Sequence, residues 1–249
     1  ARILHPAEGR LLDWTDRGTG MVPRVVDERE LTWAEVAASV GRVAHPLVQW
    51  RALVPADQGG VRRDDGWEIE GPHEGWYDPV EFARLVPLLA AATTTPDDAV
   101  VALWEGWGEL HPGSRHVVVE FAPGADEAPT HVDLPTLDAG LVAALDGGDL
   151  LELPHRRYAL LGGAVSELAD PDWGFRAGIG WWDQFRSPSP QLIWPGDRAW
   201  VVATEIDFDS TLIAGSRALI DAVLALPGLE AVEVGEGDDL TWAGDTINS

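Results

Sequence analysis

Residues 205 to 211 read Glu-Ile-Asp-Phe-Asp-Ser-Thr, placing Glu205, Asp207 and Asp209 at alternate positions directly before two hydroxyls, Ser210 and Thr211. In an extended chain alternate side chains share a face, so the three carboxylates form one group. Carboxylates that converge in this way hold a divalent metal or an arginine. A carboxylate in the same place can also act as nucleophile or as general acid and base in group transfer. The same letters suit a strand end and turn, where Asp and Ser side chains bond to nearby backbone groups. Arg198 falls on the opposite face of an extended strand and is not a natural partner for them.

The stretch "VVATEIDFDSTLI" resembles the first signature of haloacid-dehalogenase-like phosphatases, a buried strand followed by Asp-x-Asp-x-Thr and an apolar residue. The resemblance implies Asp207 as the nucleophile taking the phosphoryl group, Asp209 as general acid and base, Thr211 as a positioning group, and magnesium offsetting the negative charge. It fails at the level of architecture, because that family places this strand first and builds its catalytic domain after it. Here forty residues follow Asp209 in a 249-residue chain. The family's phosphate-binding lysine is also missing, since all 17 basic residues are arginine, and Arg217 lies too near in sequence to replace it. The strand-end reading is therefore preferred.

A second group is aromatic. Thirteen tryptophans are present, and "LWEGWGEL" sets Trp104 and Trp107 around Glu105. "GWWDQF" and "IWPGDRAW" set Trp181, Trp182, Trp194 and Trp200 near Asp183, Asp197 and Arg198. Rings beside carboxylates suit carbohydrate or cationic ligands, because a ring stacks on apolar faces and attracts cations while acids hold hydroxyl or ammonium groups. Core and interface packing is the commoner use of tryptophan. A glycosidase needs two facing carboxylates, and Glu105 with Glu205 is the pair to inspect.

Composition removes several chemistries. Without lysine there is no Schiff base, no ordinary pyridoxal-phosphate enzyme and no phosphate-loop lysine. Without cysteine there are no disulfides, thiol nucleophiles or thiolate metal sites. The histidines show no His-x-His or His-Glu-x-x-His run, and no Gly-x-Ser-x-Gly elbow occurs, so neither a zinc site nor a serine hydrolase is indicated. No cofactor is expected. A formal charge of −25 repels nucleic acid and steers basic partners into contact. No run approaches the roughly 18 apolar residues of a membrane span, and the N-terminus lacks the apolar core of a signal peptide, so a cytoplasmic protein is expected.

The elements that must position these residues are short. Thr32 and Glu35 form a capping-box signature for a helix ending near Gly41, and Asp78-Pro79 opens a second helix that Pro87 should kink or shorten. Residues 55 to 75 read as a surface connection. Strands are expected at 99 to 106 and 115 to 122 as an antiparallel pair, a helix at 135 to 146, and one long strand through "RAWVVATEIDF". Ser216 caps a final helix before a last strand, "LEAVEV". Without regular alternation of strand and helix, the fold expected is α+β, with a mostly antiparallel sheet flanked by a few short helices. Residues 1 to 92 read as a helical and loop-rich region and 93 to 249 as a Trp-rich α+β region, the two forming either separate regions or one continuous domain.

"TTTPDDAVVALWEGWG", "LPHRRYALLGGAV" and "SPQLIWPGDRAWVVATEIDFDSTLIAGS" together resemble a group of uncharacterised proteins from high-GC actinobacteria, across about residues 93 to 235. That resemblance implies a source and carries no active-site residues. The leading expectation is an acidic protein that binds a basic protein partner, as toxin-neutralising immunity proteins do. The rival is a hydrolase with a carboxylate-lined, tryptophan-walled pocket, a metal-dependent phosphatase or a glycosidase. The residues singled out are Trp104, Glu105, Trp107, Trp181, Trp182, Asp197, Arg198, Glu205, Asp207 and Asp209, of which Glu205, Asp207 and Asp209 are the candidate metal ligands.

Overall fold

A computed structural model describes residues 1–13, 23–54, 60–111, 136–180 and 187–248. The chain divides into two compact units, one built from Ala1–Tyr77 together with Thr204–Ser249, the other from Asp78–Ala203. The architecture is α+β, and the strand pairings within each unit are antiparallel.

The discontinuous unit begins with β1 (Arg2–Leu4), β2 (Ala7–Asp13) and β3 (Arg24–Leu31), followed by α1 (Trp33–Ser39) and α2 (Trp50–Leu53). Strands β4 (Val61–Arg62) and β5 (Trp67–Glu70) then complete a sheet ordered β3-β2-β5-β4. The described part of that stretch, residues 60 to 75, is therefore more than a connection: β5 pairs with β2, and its Ile69 is buried. The periodic signal is too short to be read there against so many turn residues. Helix α1 starts as its spelling predicts. Thr32 Oγ1 accepts from the Glu35 N–H at 3.1 Å, and Glu35 returns a carboxylate to the Thr32 N–H at 2.8 Å. Its Trp33, Val36 and Ala37 join Leu31, Val48 and Ile69 in the core of this unit.

The contiguous unit opens with α3 (Pro79–Ala91), capped by Asp78, whose Oδ1 accepts from the Val80 and Glu81 N–H groups at 2.7 and 3.2 Å. Helix α3 runs on through Pro87 to Ala91, so the proline does not shorten it. Burial of Phe82, Leu85, Val86 and Leu89 along one face outweighs the hydrogen bond that proline cannot make. Strand β6 (Ala99–Trp104) pairs with β8 (Arg156–Gly163) and β9 (Leu192–Pro195); the expected partner at 115 to 122 lies outside the described residues. β7 (Leu151–Leu153) and β10 (Val201–Ala203) complete the order β10-β9-β6-β8-β7. Helix α4 (Ala139–Gly147) stops at Gly148, whose φ of 70° fits the left-handed position that ends a helix. A short helix, α5 (Trp173–Arg176), follows a 3₁₀ turn over Val165–Ala169. Leu103, Leu110, Leu141 and Ile179 form the core under this sheet.

After Ala203 the chain returns to the first unit. β11 (Ser210–Ala214), α6 (Arg217–Leu224) and β12 (Ala231–Val232) follow, and β1 lies between β11 and β12. The long strand expected through "RAWVVATEIDF" is not continuous. It stops at Ala203, turns at Ile206-Asp207, and extended pairing resumes at Ser210. No helix among the described residues is long and apolar enough to cross a membrane.

Candidate functional site

The break in that strand decides what the three carboxylates can do. A turn closes with the Phe208 N–H on the Glu205 carbonyl at 3.0 Å, and the Gly75 N–H reaches the Phe208 carbonyl at 2.8 Å. Gly75 has a φ of 69°, and a Cβ there would run into the Ile206 backbone, so the close approach of the two segments depends on glycine. The turn ends the alternation that would put Glu205, Asp207 and Asp209 on one face. Asp207 is exposed, Glu205 is half-buried, and Asp209 turns toward β1. Among the described residues no group of three His, Asp or Glu side chains is arranged to hold a metal ion.

Asp209 meets Arg2, which is 1% exposed, at 3.6 Å. The β1–β11 register puts Arg2 opposite Leu212 and Leu4 opposite Ser210, and the buried Arg2 guanidinium is held by several polar neighbours. Its Nε donates to Ser210 Oγ at 3.0 Å and its Nη1 to the Val48 and Pro46 carbonyls at 2.8 and 3.3 Å. The Trp33 ring lies under it at 5.5 Å. Burial pushes the Asp209 carboxyl up to about 6, with the Arg2 charge opposing part of that rise.

His5 stands beside this pair. Its Nδ1 lies 3.1 Å from the His73 carbonyl and its Nε2 2.9 Å from Thr211 Oγ1, itself 2.8 Å from Thr204 Oγ1. A carbonyl only accepts, so Nδ1 carries the proton; neutral Nε2 then accepts from Thr211, and Thr211 accepts from Thr204. The ring stacks on Tyr77 at 5.1 Å, and its backbone carbonyl accepts from the Trp33 indole N–H at 2.7 Å. Burial lowers the His5 pKa to about 4, and the nearby Arg2 charge acts in the same direction. The arrangement keeps a neutral imidazole next to a carboxyl that retains its proton into mildly acidic solution. Thr211, fully buried, is a link in this chain of hydroxyls.

Neither Arg2 nor His5 stands out in the sequence. The available signal is an arginine and a histidine bracketing "IL" in a short strand, where a charged group must either face water or be paired inside.

In the contiguous unit, Trp104 and Trp107 meet edge to face at 6.3 Å, and Arg156 lies over Trp104 at 5.4 Å. Gln191, 1% exposed, organises them: its Oε1 accepts from the Trp104 N–H at 2.8 Å and from the Trp107 indole at 3.0 Å. Glu105 accepts from Arg157 Nε at 2.7 Å. A Cβ on Gly106 would strike the Trp104 ring, so the glycine lets the indole fold over the turn. The two rings and the carboxylate are thus engaged with neighbouring side chains. Trp181, Trp182 and Asp183 lie outside the described residues. Glu105 and Glu205 belong to different units.

Asp197 closes a loop. Its Oδ2 accepts from the Thr94 N–H and Oγ1, each at 2.7 Å, and its Oδ1 accepts from Thr93 Oγ1 at 2.8 Å and the Ala199 N–H at 3.1 Å. These bonds, led by the Thr94 backbone, hold its carboxyl far below the usual carboxylate range. Arg198 completes the turn in the left-handed region, at a φ of 56°.

Compared with known protein families, curated proteins and solved structures, the chain shows no significant match to any of them.

Proposed function

We propose that this protein acts by binding a basic protein partner rather than by catalysis. One observation carries the reading: two of the carboxylates singled out for chemistry are committed to structure, Asp209 to Arg2 and Asp197 to its threonines, while acidic charge remains on exposed positions such as Asp146, Asp149 and Glu236. A surface of that sign speeds encounter with cations and suppresses anionic partners. The expected behaviour is saturable association with a basic protein or peptide that weakens steeply as salt is raised.

One observation favours the hydrolase reading. A carboxyl raised to about 6, with a side chain 16% exposed, is suited to proton donation near neutral pH. Assays of phosphate-ester and glycoside hydrolysis, with and without magnesium or manganese, separate the two. Turnover that disappears in Asp207→Asn or Asp209→Asn, with folding retained, would sink the binding proposal. No turnover, together with salt-sensitive binding of a cationic peptide, is the outcome expected.

A further inference from the structure

Trp242 is 81% exposed, an unusual position for the residue with most apolar surface to hide. It is not on a loose tail. On one side of it the Leu240 carbonyl accepts from Gln49 Nε2 at 3.3 Å. On the other, Gly244, Asp245 and Asn248 are buried. Asp245 Oδ1 accepts from His45 Nε2 and the Asn248 N–H, both at 2.9 Å, and its Oδ2 from Asn248 Nδ2 at 2.9 Å and the Gln49 N–H at 3.2 Å. Asn248 in turn pairs with both backbone groups of Val43 at 2.9 Å. Burial opposes ionisation of Asp245, yet the bonds from Asn248, Gln49 and His45 hold its carboxyl well below the usual range, so the anchor stays an anion.

Between these anchors the loop is wound on itself. The Thr241 N–H and Oγ1 donate to Asp239 Oδ1 at 2.9 and 2.7 Å, and the Gly235 N–H donates to Asp238 Oδ2 at 2.7 Å. The Gly244 N–H closes on the Thr241 carbonyl at 2.9 Å, and a Cβ on Gly244 would strike the Asp239 carbonyl. The backbone that carries the indole is therefore fixed before any partner arrives. Exposed Glu236, Asp238 and Asp239 precede it in the same segment.

A pre-ordered, solvent-facing tryptophan is the residue type that most often dominates a protein interface, because little conformational freedom is lost when it is covered. The indole face attracts cations, and guanidinium groups, being flat and weakly hydrated, stack on it better than ammonium groups do. Resting on the binding function proposed above, we infer that this loop is where the basic partner docks, with Trp242 receiving an arginine side chain and the flanking carboxylates selecting a cationic segment.

The test is fluorescence anisotropy of a labelled Arg-Gly repeat peptide titrated with the full chain and with Trp242→Ala and Trp242→Phe, at low and at moderate salt. Trp242→Ala is expected to weaken binding about 30-fold, the size of an interface hot spot. Trp242→Phe, which keeps a ring, should retain most of the affinity, and a lysine-for-arginine peptide should bind less tightly. Unfolding midpoints should match, since the side chain is outside the core. If the native chain binds the peptide and Trp242→Ala binds it equally well, the docking site is overturned and the general binding function survives. If the native chain binds no cationic peptide, both are overturned. A native dimer that becomes monomeric in Trp242→Ala overturns the basic partner in favour of a second copy of this chain.

Discussion

Asp209 and Asp197 are the same residue type, and their proton affinities move in opposite directions. Asp209 is drawn inside the discontinuous unit beside Arg2, and burial raises its carboxyl to about 6. Asp197 stays in solvent in the contiguous unit, and donors from Thr94, Thr93 and Ala199 lower it. The difference lies in what surrounds the charge. Several aligned donors stabilise the anion where water also remains, whereas a single arginine at 3.6 Å does not replace the water that Asp209 has lost.

The largest test of that contrast removes Arg2. In Arg2→Ala, Ser210 Oγ and the Val48 and Pro46 carbonyls lose their donor and a buried carboxyl loses its counter-charge. Chemical denaturation should show a loss of about 3–5 kcal/mol. A loss below about 1 kcal/mol would mean that solvent reaches the pair and that Asp209 resembles Asp197 after all.

Next comes pH. Asp209 has a folded value above its unfolded one, so its contribution favours folding below about 4 and is lost as pH rises through about 6. His5 is the reverse: its folded value is about 4, below an unfolded value near 6.5, so its contribution is present above 6.5 and lost as pH falls through 4. Between these limits the folded chain carries the proton on Asp209 and the unfolded chain carries it on His5. The two slopes oppose each other. Asp209→Asn should therefore show stability rising with pH relative to the native chain, and His5→Gln stability falling with pH. Each difference should approach about 3 kcal/mol across the interval. Parallel curves for native chain and variants would show that neither group is desolvated.

The smallest effect belongs to Asp197→Ala. Global unfolding should shift less than in Arg2→Ala, Asp209→Asn or His5→Gln, while amide exchange at Thr94 and Ala199 accelerates as the loop opens. A global loss as large as that of Arg2→Ala would make the exposed clamp as structural as the buried pair.

The α+β class, the capping of α1, α3 and α6 and the antiparallel pairing were legible in the sequence, because Thr32 with Glu35, Asp78 with Pro79, and Ser216 act locally and bond to backbone groups within a turn. The candidate site was legible only in its letters. Whether Asp209 sits at a strand face or beside a buried arginine depends on β1 pairing with β11 across some two hundred residues, and no local pattern encodes that register. The continuous strand expected through Asp207 failed for a related reason. Apolar alternation marks where a strand could run, and the turn at Ile206-Asp207 is fixed instead by Gly75 approaching from a distant segment. Gln191, which binds Trp104 and Trp107 together, carries no signal in its own neighbourhood.

The position of β1 between β11 and β12 sets an order on biosynthesis. As the chain leaves the ribosome, β1 has neither of these neighbours until residues 210 to 232 have been made, and the α1 amides of Trp33 and Ala34 also wait for Glu230. The contiguous unit of residues 78–203 meets no such delay and is expected to fold first. Strand β1 thus spends the synthesis of some two hundred residues as an unpaired edge, the period when a nascent chain is most open to capture by a chaperone or by another copy of itself.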